Sequence, residues 1–257
     1  MQWFVIFKKE LLENWRNLKW IWVPIVFIIF AVMDPITTYY LPKIMDAVGG
    51  MPEGAVVDIP MPNANEAMMM SFGELSLLGV LITVVIAMGT ISGEMKSGVY
   101  ELILSKPVKY THYVSAKFMS IALMVWVSTA LAIIAGWYYV ALLFGTIDFT
   151  KLLTGILFFS LYFALIVSIV LMVNTWFQTP GLVAFISLLL IIILNVATSI
   201  YGHILTWSPA LISDYIGAYL STGTLTDELW YSALMALVFS IVCIQFAIIT
   251  LKNRALQ

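Results

Sequence analysis

The chain has 257 residues, of which 62% are apolar and 10% are charged. Roughly a quarter of an average soluble domain is charged, so this composition excludes a soluble globular protein, a disordered chain and a nucleic-acid-binding protein. A chain this apolar must be embedded in a lipid bilayer. A spanning helix needs about 20 residues, so the chain has room for six spans. The sequence therefore predicts an all-α membrane protein that forms one transmembrane domain over residues 1–257.

The first predicted element, residues 1–19, is an amphipathic helix that lies along the inner membrane surface. Trp3, Phe7 and Trp15 share an apolar arc, and Lys9 and Glu13 lie opposite. The alternative is an inward extension of the first span. Six long apolar stretches follow, without the period-2 alternation of barrel strands. The predicted spans cover about residues 20–40, 75–91, 118–145, 152–177, 181–202 and 229–251.

The distribution of charge predicts the orientation of the spans. With both termini in the cytoplasm, ten of the twelve basic residues fall in inner segments, and only Lys43 and Lys151 lie outside. Basic residues accumulate on the cytoplasmic side of membrane proteins, so we expect a multi-pass protein with both ends inside. The inner basic residues are Lys8, Lys9, Arg16, Lys19, Lys96, Lys106, Lys109, Lys117, Lys252 and Arg254.

Polar residues within the spans are candidates for a translocation path. Asp34 lies about 14 residues into the first span, where a carboxylate is costly unless it faces a wet cavity or a partner. One interpretation is that Asp34 lines the exit of a translocation path. The other, which we favour, is that Asp34-Pro35 marks the outer end of a tilted helix. Asn195 in the fifth span is a second candidate. It hydrogen-bonds to substrate or across helices, and we favour the bond across helices. Asn174 is assigned to a tight turn between spans four and five.

Two long connections are predicted on the outer side. The connection 41–73 is rich in methionine, and thioethers bind Cu(I). No cysteine or histidine accompanies them, so we assign no metal site and expect Met68–Met70 on the apolar side of a short helix at the membrane surface. The connection 203–228 is too apolar for a free loop, and Ser208-Pro209 followed by Ala210–Leu220 predicts an outer re-entrant segment before the last span. The methionines of the first connection are Met45, Met51, Met61, Met68, Met69 and Met70.

The longest inner segment lies between spans two and three. Glu94–Leu104 fits a helix of about three turns, and Pro107 biases the preceding residue away from helical dihedrals, so the chain turns there before span three. Glu94 and Glu101 would share one face of this helix. An apolar surface is supplied by Val99, Leu102 and Ile103. Such a unit can dock in a groove on a partner below the membrane.

At these residues the chain resembles the ABC-2 type permeases, the membrane subunits of many bacterial ATP-binding-cassette exporters. The overall plan of six spans with both ends inside is also similar. Two positions depart from the family pattern. Val99 stands where the family more often has Thr, and Lys109-Tyr110 stand near a position where the family often has Arg. The matching motif is Gly93-Glu94, Gly98, Glu101-Leu102, Leu104-Ser105-x-Pro107-Val108 and Lys117-Phe118.

The resemblance implies that Glu94–Leu104 is a coupling helix on a separate ATPase subunit. The chain has no G-x-x-x-x-G-K-[ST] phosphate loop, so it is not expected to be an enzyme, and the partner ATPase would bind ATP and Mg. The resemblance also implies a dimer with a second or related permease in the bacterial cell membrane. The implied coupling residues are Gly93, Glu94, Gly98, Val99, Glu101, Leu102, Ile103 and Pro107.

Other classes of function are weighed against an exporter subunit. An ion-coupled secondary transporter normally needs ionisable residues at mid-membrane, and spans three and four contain none. A membrane-embedded metalloprotease needs clustered His and acidic ligands, but His112 and His203 stand alone. A non-transporting scaffold or immunity subunit remains an alternative. The aromatic central spans favour an amphipathic cargo, such as a peptide or an antibiotic, over a small ion.

Overall fold

The computed structural model describes residues 2–47, 61–100 and 108–254, and all regular elements in these ranges are helical. Six helical runs are long and apolar enough to cross a membrane, which confirms the predicted all-α architecture. The elements are α1 (Gln2–Arg16), α2 (Lys19–Ala47), α3 (Ala64–Glu74), a π-helical segment (Leu75–Gly79), α4 (Val80–Ala87), α5 (Ser92–Lys96), α6 (Tyr110–Leu143), α7 (Phe149–Asn174), α8 (Pro180–Tyr201), a 3₁₀ turn (Pro209–Leu211), α9 (Ile212–Thr222) and α10 (Asp227–Arg254).

Spans 1 to 6 are α2, the run α3–α5, α6, α7, α8 and α10. The bundle has a charged end, which holds α1 and α5, and an α9 end opposite. Span 4 is the central helix, because 67% of its most apolar stretch is buried, against 22% in spans 5 and 6. It packs against spans 2, 3, 5 and 6 and against α9. Spans 1, 5 and 6 keep broad apolar faces exposed, which in a bilayer contact lipid or another helix.

Span 1 continues through Asp34-Pro35, so the prediction that this pair marks the end of the helix is wrong. Proline has no N–H to donate to the carbonyl four residues earlier, here that of Ala31. The Ser71 hydroxyl of span 2 donates to this Ala31 oxygen at 2.6 Å. A bond from a neighbouring helix therefore replaces the missing backbone bond, which is how membrane helices tolerate internal prolines.

Span 3 approaches the same point through a glycine. A Cβ atom on Gly136 would lie 3.0 Å from the Ser71 hydroxyl and 3.3 Å from the Ala31 carbonyl oxygen. Both distances are shorter than ordinary van der Waals contact, so a larger residue would push span 3 away. Spans 1, 2 and 3 thus meet around one hydrogen bond.

Span 2 begins at Ala64, before the predicted start at Leu75. Asn63 and Glu66 form a capping box: the Asn63 side chain accepts from the Glu66 amide, and the Glu66 carboxylate accepts from the Asn63 amide. The helix therefore includes residues assigned to a loop. Met68 is fully buried in the core, so the expectation that it lies on the membrane surface is wrong.

The two helices α1 and α9 form where the sequence predicts helices outside the six spans. On α1, Phe4 and Trp15 are exposed while Glu10 and Asn14 are buried. At the other end, the Ser208 hydroxyl accepts from the Ala210 amide, and α9 then packs against spans 2, 4 and 6. The interfacial position of α1 and the re-entrant path of the α9 segment stay predictions.

A double-mutant cycle tests the bond that replaces the backbone bond of Pro35. Ser71→Ala leaves the Ala31 carbonyl without a donor, and we expect a loss of about 1–3 kcal/mol in unfolding free energy. In a Pro35→Ala background the restored N–H satisfies that carbonyl, so Ser71→Ala should cost less than half as much. Thermal unfolding in detergent measures both. An equal cost in the two backgrounds would contradict the assignment.

Candidate coupling site

A buried lysine lies at the centre of the charged end. Lys117 on α6 is 1% exposed, and its ammonium lies 2.8 Å from Glu10 Oε1 and 3.0 Å from Glu94 Oε1. It also donates to the Thr90 carbonyl oxygen at 2.9 Å. The ammonium donates hydrogen bonds to Glu10 and to Thr90 and is ion-paired with Glu94, so it contacts three different segments of the chain. These contacts of the Lys117 ammonium offset the several kcal/mol that burying a charge costs.

The two buried carboxylates have further partners. The Lys9 ammonium lies 2.6 Å from Glu94 Oε1, 3.1 Å from Glu10 and 3.2 Å from Glu13, and the Tyr113 hydroxyl donates to Glu94 Oε2. Oxygen atoms of the three carboxylates lie within 4.8 Å of one another, and the cation paired with all three is Lys9. We call Lys9, Glu10, Glu13, Glu94 and Lys117 the ion cluster.

Lys9 stays charged in this position. Burial alone would lower the pKa of the Lys9 ammonium, but the Glu10 and Glu94 carboxylates outweigh burial and raise the pKa above its ordinary value. Lys9 therefore keeps its positive charge at neutral pH, because a raised amine pKa keeps the proton on.

Span 2 is broken beside the ion cluster, and the break is held by Asn174 at the end of span 4. A helix break leaves backbone groups unpaired. The Asn174 side-chain oxygen accepts from the amides of Ile91, at 3.3 Å, and Ser92, at 3.1 Å, and its nitrogen donates to the Ala87 carbonyl at 3.0 Å. The fully buried Asn174 therefore fixes the direction of α5, and its assignment to a turn alone is wrong.

Polar contacts also fasten α1 to the start of span 3. The Trp3 indole N–H donates to the Ser115 hydroxyl at 3.0 Å, and the Asn14 amide nitrogen donates to Ser120 at 3.2 Å. Together with the pair between Glu10 and Lys117, these bonds join α1 to α6, and the pairs of Glu94 with Lys9 and Lys117 add α5 to the same unit.

The predicted coupling residues fall into four groups. A single helix over Glu94–Leu104 is wrong, because Gly98 adopts a left-handed conformation, φ 73°, and ends α5. Glu94 is turned into the ion cluster and is only 12% exposed. Gly93 and the exposed Val99 line a cavity of about 590 Å³ beside the cluster. Lying outside the described residues are Glu101, Leu102, Ile103 and Pro107.

The two predicted path residues are not brought together. Asn195 lines a cavity of about 400 Å³ at the α9 end, between spans 2, 4 and 5 and α9. We call this the polar cavity. Asp34 does not line it; the carboxyl group of Asp34 lies within hydrogen-bonding reach of that of Glu74. Polar side chains on the cavity wall are Ser76, Tyr162, Asn195, Thr198, Ser199, Ser213 and Asp214.

This architecture defines a multi-pass helical membrane protein with a buried ion cluster at one end and a polar cavity at the other. Residues 4–213 match the sequence profile described as ABC-2 family transporter protein. The chain therefore belongs to the ABC-2 transporter family, a family of membrane transport components. It is similar to the "Uncharacterized transmembrane protein YxlG" of Bacillus subtilis (strain 168), with 30% identity over 239 residues, 93% of this chain and 91% of the relative.

Sequence reasoning missed the buried role of Lys117, although a signal was present. Tyr113, Lys117 and Ser120 follow an i, i+4, i+7 spacing, which puts them on one helix face. Glu10 and Asn14 likewise form an i, i+4 pair on α1. Two polar stripes on helices that enter the membrane predict that the stripes face each other, because lipid cannot satisfy them.

Removal of the central ammonium tests the cluster. Lys117→Met leaves Glu10 and Glu94 buried with Lys9 as their remaining cation, and breaking a buried pair in this way costs about 3–5 kcal/mol. We expect a lower thermal unfolding temperature and faster proteolysis within α1. Lys109→Met, an exposed lysine at the start of the same helix, is the matched control and should change stability by less than about 0.5 kcal/mol. Equal unfolding temperatures for the two variants would refute the cluster's structural role.

Proposed function

We propose that the chain is the permease subunit of an ATP-driven exporter, and that a separate ATP-binding-cassette subunit hydrolyses ATP. Family membership supports the transport role. The observation that carries the coupling role is the ion cluster, which joins α1, span 2 and span 3 beside the segment that connects α5 to α6.

The proposed coupling follows from where this segment is anchored. Residues 97–109 connect α5 to α6, and Glu94 of α5 is paired with Lys117 of α6. A force applied to the segment therefore displaces both helices together, and Glu10 carries α1 with them. Hydrogen bonds in a low-dielectric site resist separation more strongly than in water, so the unit transmits motion to spans 2 and 3.

Individual residues have distinct parts in this proposal. Gly98 supplies the left-handed turn that ends α5, and Glu94 anchors α5 from within. Val99, exposed at the same point, begins the surface that contacts the ATPase. The contact itself is assigned, from the family motif, to Glu101, Leu102, Ile103 and Pro107.

The exposed surfaces and the charge distribution of the chain indicate its other partners. The exposed apolar faces of spans 1, 5 and 6 accommodate lipid and a second copy of this chain or a related permease. The charged end faces the cytoplasm of a bacterial cell, and ATP and Mg bind to the partner ATPase. The carboxyl pair of Asp34 and Glu74 favours a second candidate, an ion-coupled secondary transporter, because ionisable groups within spans mark ion pathways.

Cysteine labelling tests the orientation. In a Cys243→Ser background, Thr224→Cys at the α9 end should react with an impermeant maleimide added to intact cells. Lys109→Cys at the charged end should react only after the membrane is permeabilised. Both side chains are exposed, so accessibility within the protein does not distinguish them. Labelling of Lys109→Cys in intact cells would reverse the orientation.

The coupling role is tested with the ATPase that copurifies with the wild-type chain. Glu101→Arg replaces an attraction with a like-charge contact, which costs several kcal/mol, and each 1.4 kcal/mol is about tenfold in binding. We expect loss of copurification. Lys117→Met should keep the ATPase bound but abolish its stimulation, because the contact is intact while the anchor is broken.

The control is Lys109→Glu, a charge reversal in the same segment that should retain both properties. Full copurification and full stimulation with Glu101→Arg would overturn the assigned contact. Transport that requires an ion gradient and no ATPase would favour the secondary transporter instead.

A further inference from the structure

We infer that the polar cavity binds a small, singly cationic molecule that carries hydroxyl groups, or the head group of a larger molecule with that chemistry. The inference rests on the proposed function only in treating this ligand as a substrate. Binding itself is a property of this chain alone and needs no ATPase.

The wall of the polar cavity departs from the apolar character of the spans that form it. Spans 2, 4 and 5 contribute Ser76, Tyr162, Asn195 and Thr198. Polar groups within a membrane bundle need hydrogen-bond partners. The Ser76 hydroxyl oxygen is fully buried and has no partner among the residues that the structure describes. Ser76 also lies in the π-helical segment, and such segments occur frequently at functional sites. The cavity wall therefore includes a hydroxyl group that the surrounding spans leave unsatisfied.

The other wall groups keep capacity to accept hydrogen bonds. The Asn195 amide nitrogen donates to the Ile191 carbonyl oxygen at 2.9 Å, and the amide group lies beside the Tyr162 hydroxyl on the cavity wall. The Asn195 amide oxygen and the Tyr162 hydroxyl oxygen can both accept hydrogen bonds from a ligand. Ser199 adds a hydroxyl beside them. This set of groups matches a ligand that presents several hydroxyl donors.

The charge of the ligand follows from Asp214 on α9. It is the one acidic or basic side chain on the cavity wall, and it forms no ion pair with any residue in the described ranges. Asp214 is an exposed residue, and partial burial of its carboxyl group beside the cavity raises the pKa of that group above the ordinary value. A single uncompensated carboxylate attracts one positive charge and repels anions. At about 400 Å³ the cavity lies near the lower end of the range for small-molecule sites.

A glycine on the wall provides a way to fill the cavity without disturbing the fold. Gly73 lines the cavity, and a Cβ atom there would meet nothing within 4 Å. Leucine is also a better helix former than glycine, so Gly73→Leu occupies the space while α3 persists. Gly181 in α8 has equal room for a Cβ and lies outside the cavity wall, so Gly181→Leu is the matched control.

The test uses three probes with the same hydroxylated chain and different charge: glucamine (cation), sorbitol (neutral) and gluconate (anion). Saturation-transfer NMR with the purified chain in lipid nanodiscs at pH 7 measures their binding. We expect glucamine to bind about fivefold more tightly than sorbitol, the gain from one partly exposed charge pair, and gluconate not to bind. Asp214→Asn should make glucamine and sorbitol equal, whereas Asp227→Asn, an exposed acid outside the cavity, should preserve the difference.

Gly73→Leu should reduce binding of glucamine and sorbitol at least tenfold, and Gly181→Leu should leave it unchanged. Equal binding of all three probes, no binding by the wild-type chain, or full binding by Gly73→Leu would overturn the site. The proposed function fails separately: a chain that binds glucamine but stimulates no ATPase refutes the exporter role and leaves the site standing.

Discussion

The buried ammonium group of Lys117 constrains the whole charged end of the molecule. Its partners belong to three segments: it donates to Glu10 on α1 and to Thr90 in the break of span 2, and it is ion-paired with Glu94 on α5. Loss of any one of them would leave a buried charge poorly paired, at a cost of several kcal/mol. These segments must therefore be in place together, and the residues after Gly98 start from a fixed position on the protein.

Span 2 connects this constraint to the polar cavity. Glu94 near its last residue belongs to the ion cluster, and Ser76 in its first half lies on the cavity wall. Between them lies α4, a helix of 8 residues, and the turn held by Asn174. The proposed ATPase contact and the inferred ligand site are therefore linked by a single helical run, which packs against the central span 4.

Composition was sufficient to predict the six spans, because a lipid-exposed backbone must satisfy its own hydrogen bonds and helices do so locally. The start of span 2 was predicted too late, at residue 75, although the capping box of Asn63 and Glu66 lies within four residues of sequence. The continuation of span 1 through Pro35 could not be predicted, because the bond that replaces the lost one comes from Ser71, 40 positions from its acceptor. Local rules cannot supply such a partner.

The π-helical segment Leu75–Gly79 has a consequence for how the length of span 2 can vary. A π turn absorbs one extra residue, so the helix on either side keeps its phase. Loss of one residue within this segment would close it to an ordinary α turn and leave Glu94 facing Lys117. Loss of one residue from α4 would instead rotate α5 by about 100° and carry Glu94 away. Homologous chains can therefore gain or lose a residue at the cavity wall without uncoupling the far end of the helix.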